Sequence, residues 1–147
     1  MLNSLLERSE MKKVDCFFFE MGKLKAEVMD YREERKALAT DSADPTARAA
    51  VEGLADIPYL MGYEHPDKWL EAAQVTWAHF RHTPLGEMME RRYVKREVWQ
   101  RTVYETWVSD NTYFRWHRTF LLFAVIQLMR RGIRFNFVPP QKFVPRT

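Results

Sequence analysis

The stretch Ser109-Asp110-Asn111-Thr112-Tyr113-Phe114-Arg115-Trp116-His117-Arg118, with the apolar run from Phe120 to Met129 behind it, decides the reading of this chain. Serine is a residue type that caps a helix, and Asp110 then lies at the positive end of the helix that Ser109 opens. Tyr113, Trp116, Phe120, Ala124 and Leu128 follow at helical spacing, with Leu121 and Val125 beside them. Asn111, Thr112, Arg115, Arg118 and Thr119 are left on the opposite face. Arginine spans the two acceptors of guanine, asparagine pairs with adenine, and threonine bonds a base or a phosphate. Just upstream, residues 97–108 carry Trp99, Val103 and Trp107 four apart, the apolar spacing of a supporting helix. The pair predicts a helix-turn-helix, whose second helix enters the major groove with its N-terminal residues against base edges. Asn111, Thr112 and Arg115 are the candidate base readers. Arg91, Arg92, Lys95, Arg96, Arg101, Ser109, Arg118 and Thr119 are the candidate phosphate contacts, which position a protein without reading sequence.

Charge is distributed to match. The net of +3 over 147 residues conceals an acidic front, residues 1–80, with 10 Lys/Arg against 15 Asp/Glu. Residues 81–134 reverse this, with 11 Lys/Arg against 5 Asp/Glu, and Lys142 and Arg146 follow in the tail. Only the basic back half is expected to meet a polyanion such as double-stranded DNA. Cys16 is the single cysteine, so no disulfide can form within the chain and a reducing compartment fits. Leu2 to Leu6 is too short an apolar run for a signal peptide, and the ten residues from Phe120 to Met129 are too few to span a bilayer. The expectation is a soluble protein of the cytoplasm with no membrane partner.

Outward from that stretch, the pattern predicts an all-α fold. Residues 1–40 hold a long amphipathic helix, because Val14, Phe17, Met21, Leu24, Val28, Tyr31 and Leu38 alternate spacings of three and four, with Arg35 in the remaining slot. Such a stripe must be covered by its own domain or by a copy of itself, so a homodimer through residues 14–38 is one outcome. Phe18 and Phe19 widen the stripe beyond a two-stranded seam and favour the other. Residues 41–82 form a helical spacer and core. Asp44-Pro45 caps a short helix to about residue 56, residues 58–65 loop past Pro58 and Gly62, and Trp69, Leu70, Ala73, Trp77 and Phe80 face one side of a helix over 66–81. Residues 83–132 form the helix-turn-helix region, opened by Thr83-Pro84 and closed at Gly132. Residues 133–147, with Pro139, Pro140 and Pro145, read as an extended Pro-rich arm.

The order Asp44-Pro45-Thr46-Ala47-Arg48-Ala49-Ala50, then Met88-Met89-Glu90-Arg91-Arg92-Tyr93, then Trp99 and Ser109-x-x-Thr112-Tyr113-Phe114-Arg115 resembles the ArpU/RinA group of phage-encoded late-gene transcription regulators. The likeness covers roughly residues 10–132. It implies a sigma-like helix-turn-helix at the C-terminal end, a promoter-binding activator working with host RNA polymerase in a bacterial host cell, and a recognition helix over residues 109–119. The chain differs from the group in the bulky Val103-Tyr104-Glu105-Thr106-Trp107 and in the Pro-rich tail.

No enzyme is expected. Nothing resembles a phosphate loop, a nucleophile elbow or a zinc-protease helix, and no cofactor is implied. His79 and His82, three apart on the same expected helix, would need metal donors from elsewhere that no motif supplies. Two alternatives to a sequence-specific regulator remain. One is a small-terminase-like DNA-packaging protein. The other is a helical protein-interaction adaptor that binds no DNA.

Overall fold

The computed structural model describes residues 6–41 and 57–138, with side chains to Leu38 in the first segment. The short helix expected after Pro45 and the arm beyond Val138 lie outside the described residues. The fold is all-α, as the periodicity predicts. Five helices occur among the described residues: α1 (Arg8–Asp41), α2 (Pro66–Phe80), α3 (Pro84–Tyr93), α4 (Trp99–Thr106) and α5 (Asp110–Arg130).

Helix α1 uses its stripe within the chain. Val14, Phe17, Phe18, Leu24 and Val28 are all buried, and α1 packs on both α2 and α5. The seam for a homodimer over residues 14–28 is therefore occupied by the chain's own core. Beyond Val28, Tyr31 still packs against the core, while Met29 and Leu38 are exposed. An ion pair from Arg32 to Asp67 at the start of α2 fastens this outer stretch.

The segment expected as a loop before α2 is instead a tight hairpin, β1 (Tyr59–Leu60) against β2 (Tyr63–Glu64), with Leu60 opposite Tyr63. Met61 and Gly62 both have positive φ, 54° and 87°, the backbone of a two-residue hairpin turn matched to strand twist. The hairpin turns Tyr63 onto Phe17 and Trp69. The Tyr63 hydroxyl donates to Glu20 on α1 at 2.8 Å. Burial, then this bond to a carboxylate, push the phenol well above its ordinary range.

Helices α2 and α5 share the most extensive packing. Their core is aromatic: Phe18 and Trp77 both meet Phe120, at ring separations of 4.7 and 4.8 Å, and Phe17 meets Trp69 at 5.0 Å. Thr83 caps α3 as expected. Its hydroxyl accepts from the Gly86 N–H and donates to the Phe80 carbonyl. The end of α5 closes on Gly132 at φ 88°, with Gly132 N–H on the Met129 carbonyl and Ile133 N–H on the Leu128 carbonyl. These are the paired bonds of a Schellman motif, and Ile133 and Leu128 are both buried there. The tail begins as packed structure. Phe135 meets Trp69, and Phe137 bridges back to Leu6 at the N-terminal end.

Gly86 shows how tightly α2 and α3 approach. A Cβ there would lie 2.1 Å from the Phe80 carbonyl oxygen. Helix propensity favours Gly→Ala by about 1 kcal/mol, so the sign of the change is informative. Gly86→Ala is expected to lower stability by about 1–3 kcal/mol through overpacking. Denaturant unfolding of the variant checks this, and a gain in stability would contradict the close approach.

Candidate nucleic-acid interface

Helices α3, α4 and α5 pack on one another, and α4 joins α5 through Trp107, Val108 and Ser109. Trp107 is the C-cap of α4 in the left-handed region, φ 60° and ψ 19°, which turns the chain sharply into α5. Ser109 caps α5 as expected: its hydroxyl accepts from the Thr112 N–H at 3.2 Å and donates to the Thr112 hydroxyl at 2.8 Å. Helix, short turn and helix are thus present at the predicted positions.

The two faces of α5 are also as predicted. Tyr113, Phe120, Leu121, Ala124, Val125 and Leu128 are buried, and Trp116 is half-buried. Asn111, Arg115, Arg118 and Thr119 are exposed, while Thr112 is half-buried. Asn111, Arg115 and Arg118 have no side-chain partner among the described residues. The Thr119 hydroxyl donates to the Arg115 carbonyl one turn back, which leaves its lone pairs outward. The first turns of α5 therefore present one amide, two guanidinium groups and two hydroxyls from a rigid helix.

The flanking cations divide differently. Arg92 points inward. Its guanidinium meets Asp15 on α1 in a fork, Nε to Oδ1 at 3.2 Å and Nη2 to Oδ2 at 2.9 Å, and lies over the Phe19 and Tyr93 rings. Arg91 is held by Glu97 at 3.2 Å and Glu105 at 2.9 Å. Each is already paired with carboxylates and half-buried. Arg96 donates to the Phe19 carbonyl and stacks on that ring, so it too is anchored on α1. Arg101 pairs with Glu105 at 3.0 Å but stays exposed, and Lys95 is exposed. Among the candidate contacts, Lys95, Arg101, Arg115 and Arg118 are left outward, and Arg96 is exposed though anchored on α1.

Two further expectations change. Trp107 does not face inward as the third apolar residue of α4. It is 93 % exposed, and Thr102 is the fully buried residue of that helix. The left-handed cap turns the indole off the helical phase that the spacing assumed. His79 and His82 do not share a helix, since α2 ends at Phe80. His82 sits in the left-handed turn at φ 65°, and His79 stacks on Phe123 at 4.3 Å.

What sets the orientation of α5 is a polar cluster that the spacing of the sequence does not reveal. The Asp15 carboxylate accepts from Arg92, from the Tyr93 hydroxyl at 2.5 Å and meets His117 Nε2 at 2.9 Å. It joins α1 to α3 across 78 residues and to α5 across 102. Burial alone would raise the Asp15 carboxyl. The hydrogen bonds from His117, Arg92 and Tyr93 outweigh it and hold the group well below the usual carboxylate range. Burial and the neighbouring Asp15 charge push the Tyr93 phenol well up, so it remains a donor.

A carboxyl whose folded-state pKa is depressed adds stability that is complete above its unfolded value, near 4, and is lost as pH falls below it. Asp15→Asn is expected to cost about 3 kcal/mol at pH 7, because the Arg92 guanidinium loses its counter-charge. The gap between variant and parent should narrow progressively below about pH 4. Denaturant unfolding at pH 7, 5 and 3 measures this; a gap unchanged across that range would contradict the assignment. Comparison with protein-family models, curated proteins and solved structures finds no match to this chain.

Proposed function

We propose that this chain is a sequence-specific DNA-binding transcription regulator whose reading element is the N-terminal half of α5. The observation that carries the reading is the outward set Asn111, Arg115 and Arg118, which has no partner among the described residues on a helix whose opposite face is locked into the core. The helix has already ordered the backbone from which these side chains project, so binding orders only their rotamers, and their hydrogen bonds to base edges can discriminate between bases. Lys95, Arg101 and Arg118 supply the phosphate contacts, fewer than the count of basic residues implies. The likeness to phage late-gene regulators supports the same reading and gives the site its biological setting, a promoter acted on with host RNA polymerase. A packaging protein of the small-terminase kind would need an oligomerising seam, and the α1 stripe through Val28 is spent inside the chain.

The test is selection of bound DNA from a random pool. Enrichment of one motif is expected. On that motif Arg115→Ala should cost about 1–3 kcal/mol and relax preference at one position, while Arg118→Ala should weaken specific and scrambled DNA alike. Each phosphate contact removed should reduce the log–log salt slope by about 1. A selected pool with no enriched motif would overturn the reading. An Arg115→Ala variant that loses all DNA equally, beside an Arg118→Ala variant with altered base preference, would overturn the register.

A further inference from the structure

The apolar anchors of α5 are concentrated in its C-terminal half. Phe120, Leu121, Ala124, Val125 and Leu128 are buried, whereas between Asp110 and Thr119 the one fully buried side chain is Tyr113. The support beneath that first half is thin as well, because α4 has eight residues and Thr102 is its one buried residue. His117 supplies what packing does not. It stands two residues after Arg115 and one before Arg118. Its Nε2 reaches Asp15 Oδ1 on α1 at 2.9 Å and the Tyr93 hydroxyl on α3 at 3.1 Å. An ionised carboxylate only accepts, so Nε2 carries the hydrogen and donates the bond to Asp15. Arg92 grips the same carboxylate in a fork, which fixes the acceptor that His117 meets.

We propose that His117 is a positioning residue for base reading: held by Asp15, it sets the rotation of the first turns of α5, and so the register of Arg115 against the major groove, without itself touching DNA. The inference rests on the DNA reading and deepens it. It places a determinant of base preference on α1, at Asp15, 102 residues from His117 in sequence. Base readout is steep in geometry. A bidentate pair of arginine with guanine forms over a narrow range of angles, so a rotation of the helix that leaves the fold intact forfeits it. Phosphate contacts are less exacting, because they carry no base identity and recur along both strands. Releasing His117 therefore lowers affinity for the preferred site, while affinity for scrambled DNA is retained.

The readout is the ratio of affinities for the motif selected from a random pool and for scrambled DNA, measured on the full chain at one salt concentration. A loss of folded protein lowers both affinities by the same factor and leaves the ratio alone, so the ratio reports register and not stability. His117→Leu is expected to lower it at least about tenfold, the worth of one base contact. His117→Gln, whose amide donates from near the Nε2 position, should keep the parent's ratio. Tyr93→Phe removes one hydroxyl from the cluster and should lower the ratio by a smaller factor, which keeps the test sound if His117→Leu folds poorly. An enriched motif whose ratio survives His117→Leu, or falls equally in His117→Gln, would overturn this inference and leave the DNA reading standing. A pool with no enriched motif would overturn both.

Discussion

The arrangement depends on one carboxylate. Asp15, on α1, is a half-buried charge that would be costly to leave alone, and two further helices bring it three donors: Arg92 and Tyr93 from α3, and His117 from α5. Because a guanidinium fork, a phenol and an imidazole must converge on two oxygens, the rotation of α5 about its axis has little freedom. That rotation decides which residues of α5 look outward. Asn111, Arg115 and Arg118 are presented to solvent because His117, between them in sequence, is drawn inward.

The apolar core completes the same constraint from the other side. Phe120 sits among Phe18, Trp77, Phe80 and Tyr93, so rings from α1, α2 and α3 all bear on one residue of α5. Interlocked rings resist small rotations, since each shift would open a void. A helix held by packing along one face and by a charged cluster at one point is a rigid platform. This is the property that a reading surface requires, whether what it reads is a base edge or another protein.

The distribution of charge has two uses that the composition does not separate. The basic back half supplies counter-charges for the acidic front, Arg92 to Asp15 and Arg131 to Glu71, while Arg96 donates to the Phe19 carbonyl of α1. Part of the asymmetry along the chain is thus an internal electrostatic match between α1 and α3. Of the remaining cations, Lys95, Arg101, Arg115 and Arg118 lie about α4 and the start of α5, beside two exposed aromatic side chains, while Arg81, Arg130 and Arg134 are exposed elsewhere. Exposed polar groups on α5 and exposed aromatic groups at α4 lie on either side of one short turn, which places two kinds of surface next to each other.

By itself the sequence determined what depends on local periodicity and on capping chemistry. The all-α class, the helix starts at Pro66, Pro84 and Asp110, the stop at Gly132 and the two faces of α5 are all legible in spacing and cap residues. These signals act over one or two turns, so no distant partner is needed to read them. Tertiary structure alone decided the rest. The tight hairpin at Met61-Gly62 required two positive φ angles that a lone glycine does not announce. The inward turn of Arg91 and Arg92 came from carboxylates met only after folding, one of them 77 residues away. The outward indole of Trp107 came from a left-handed cap that breaks the helical phase. Periodicity says which side of a helix is apolar. Whether a given charge is free or already paired is a property of contacts between distant segments, and only the folded chain brings those together.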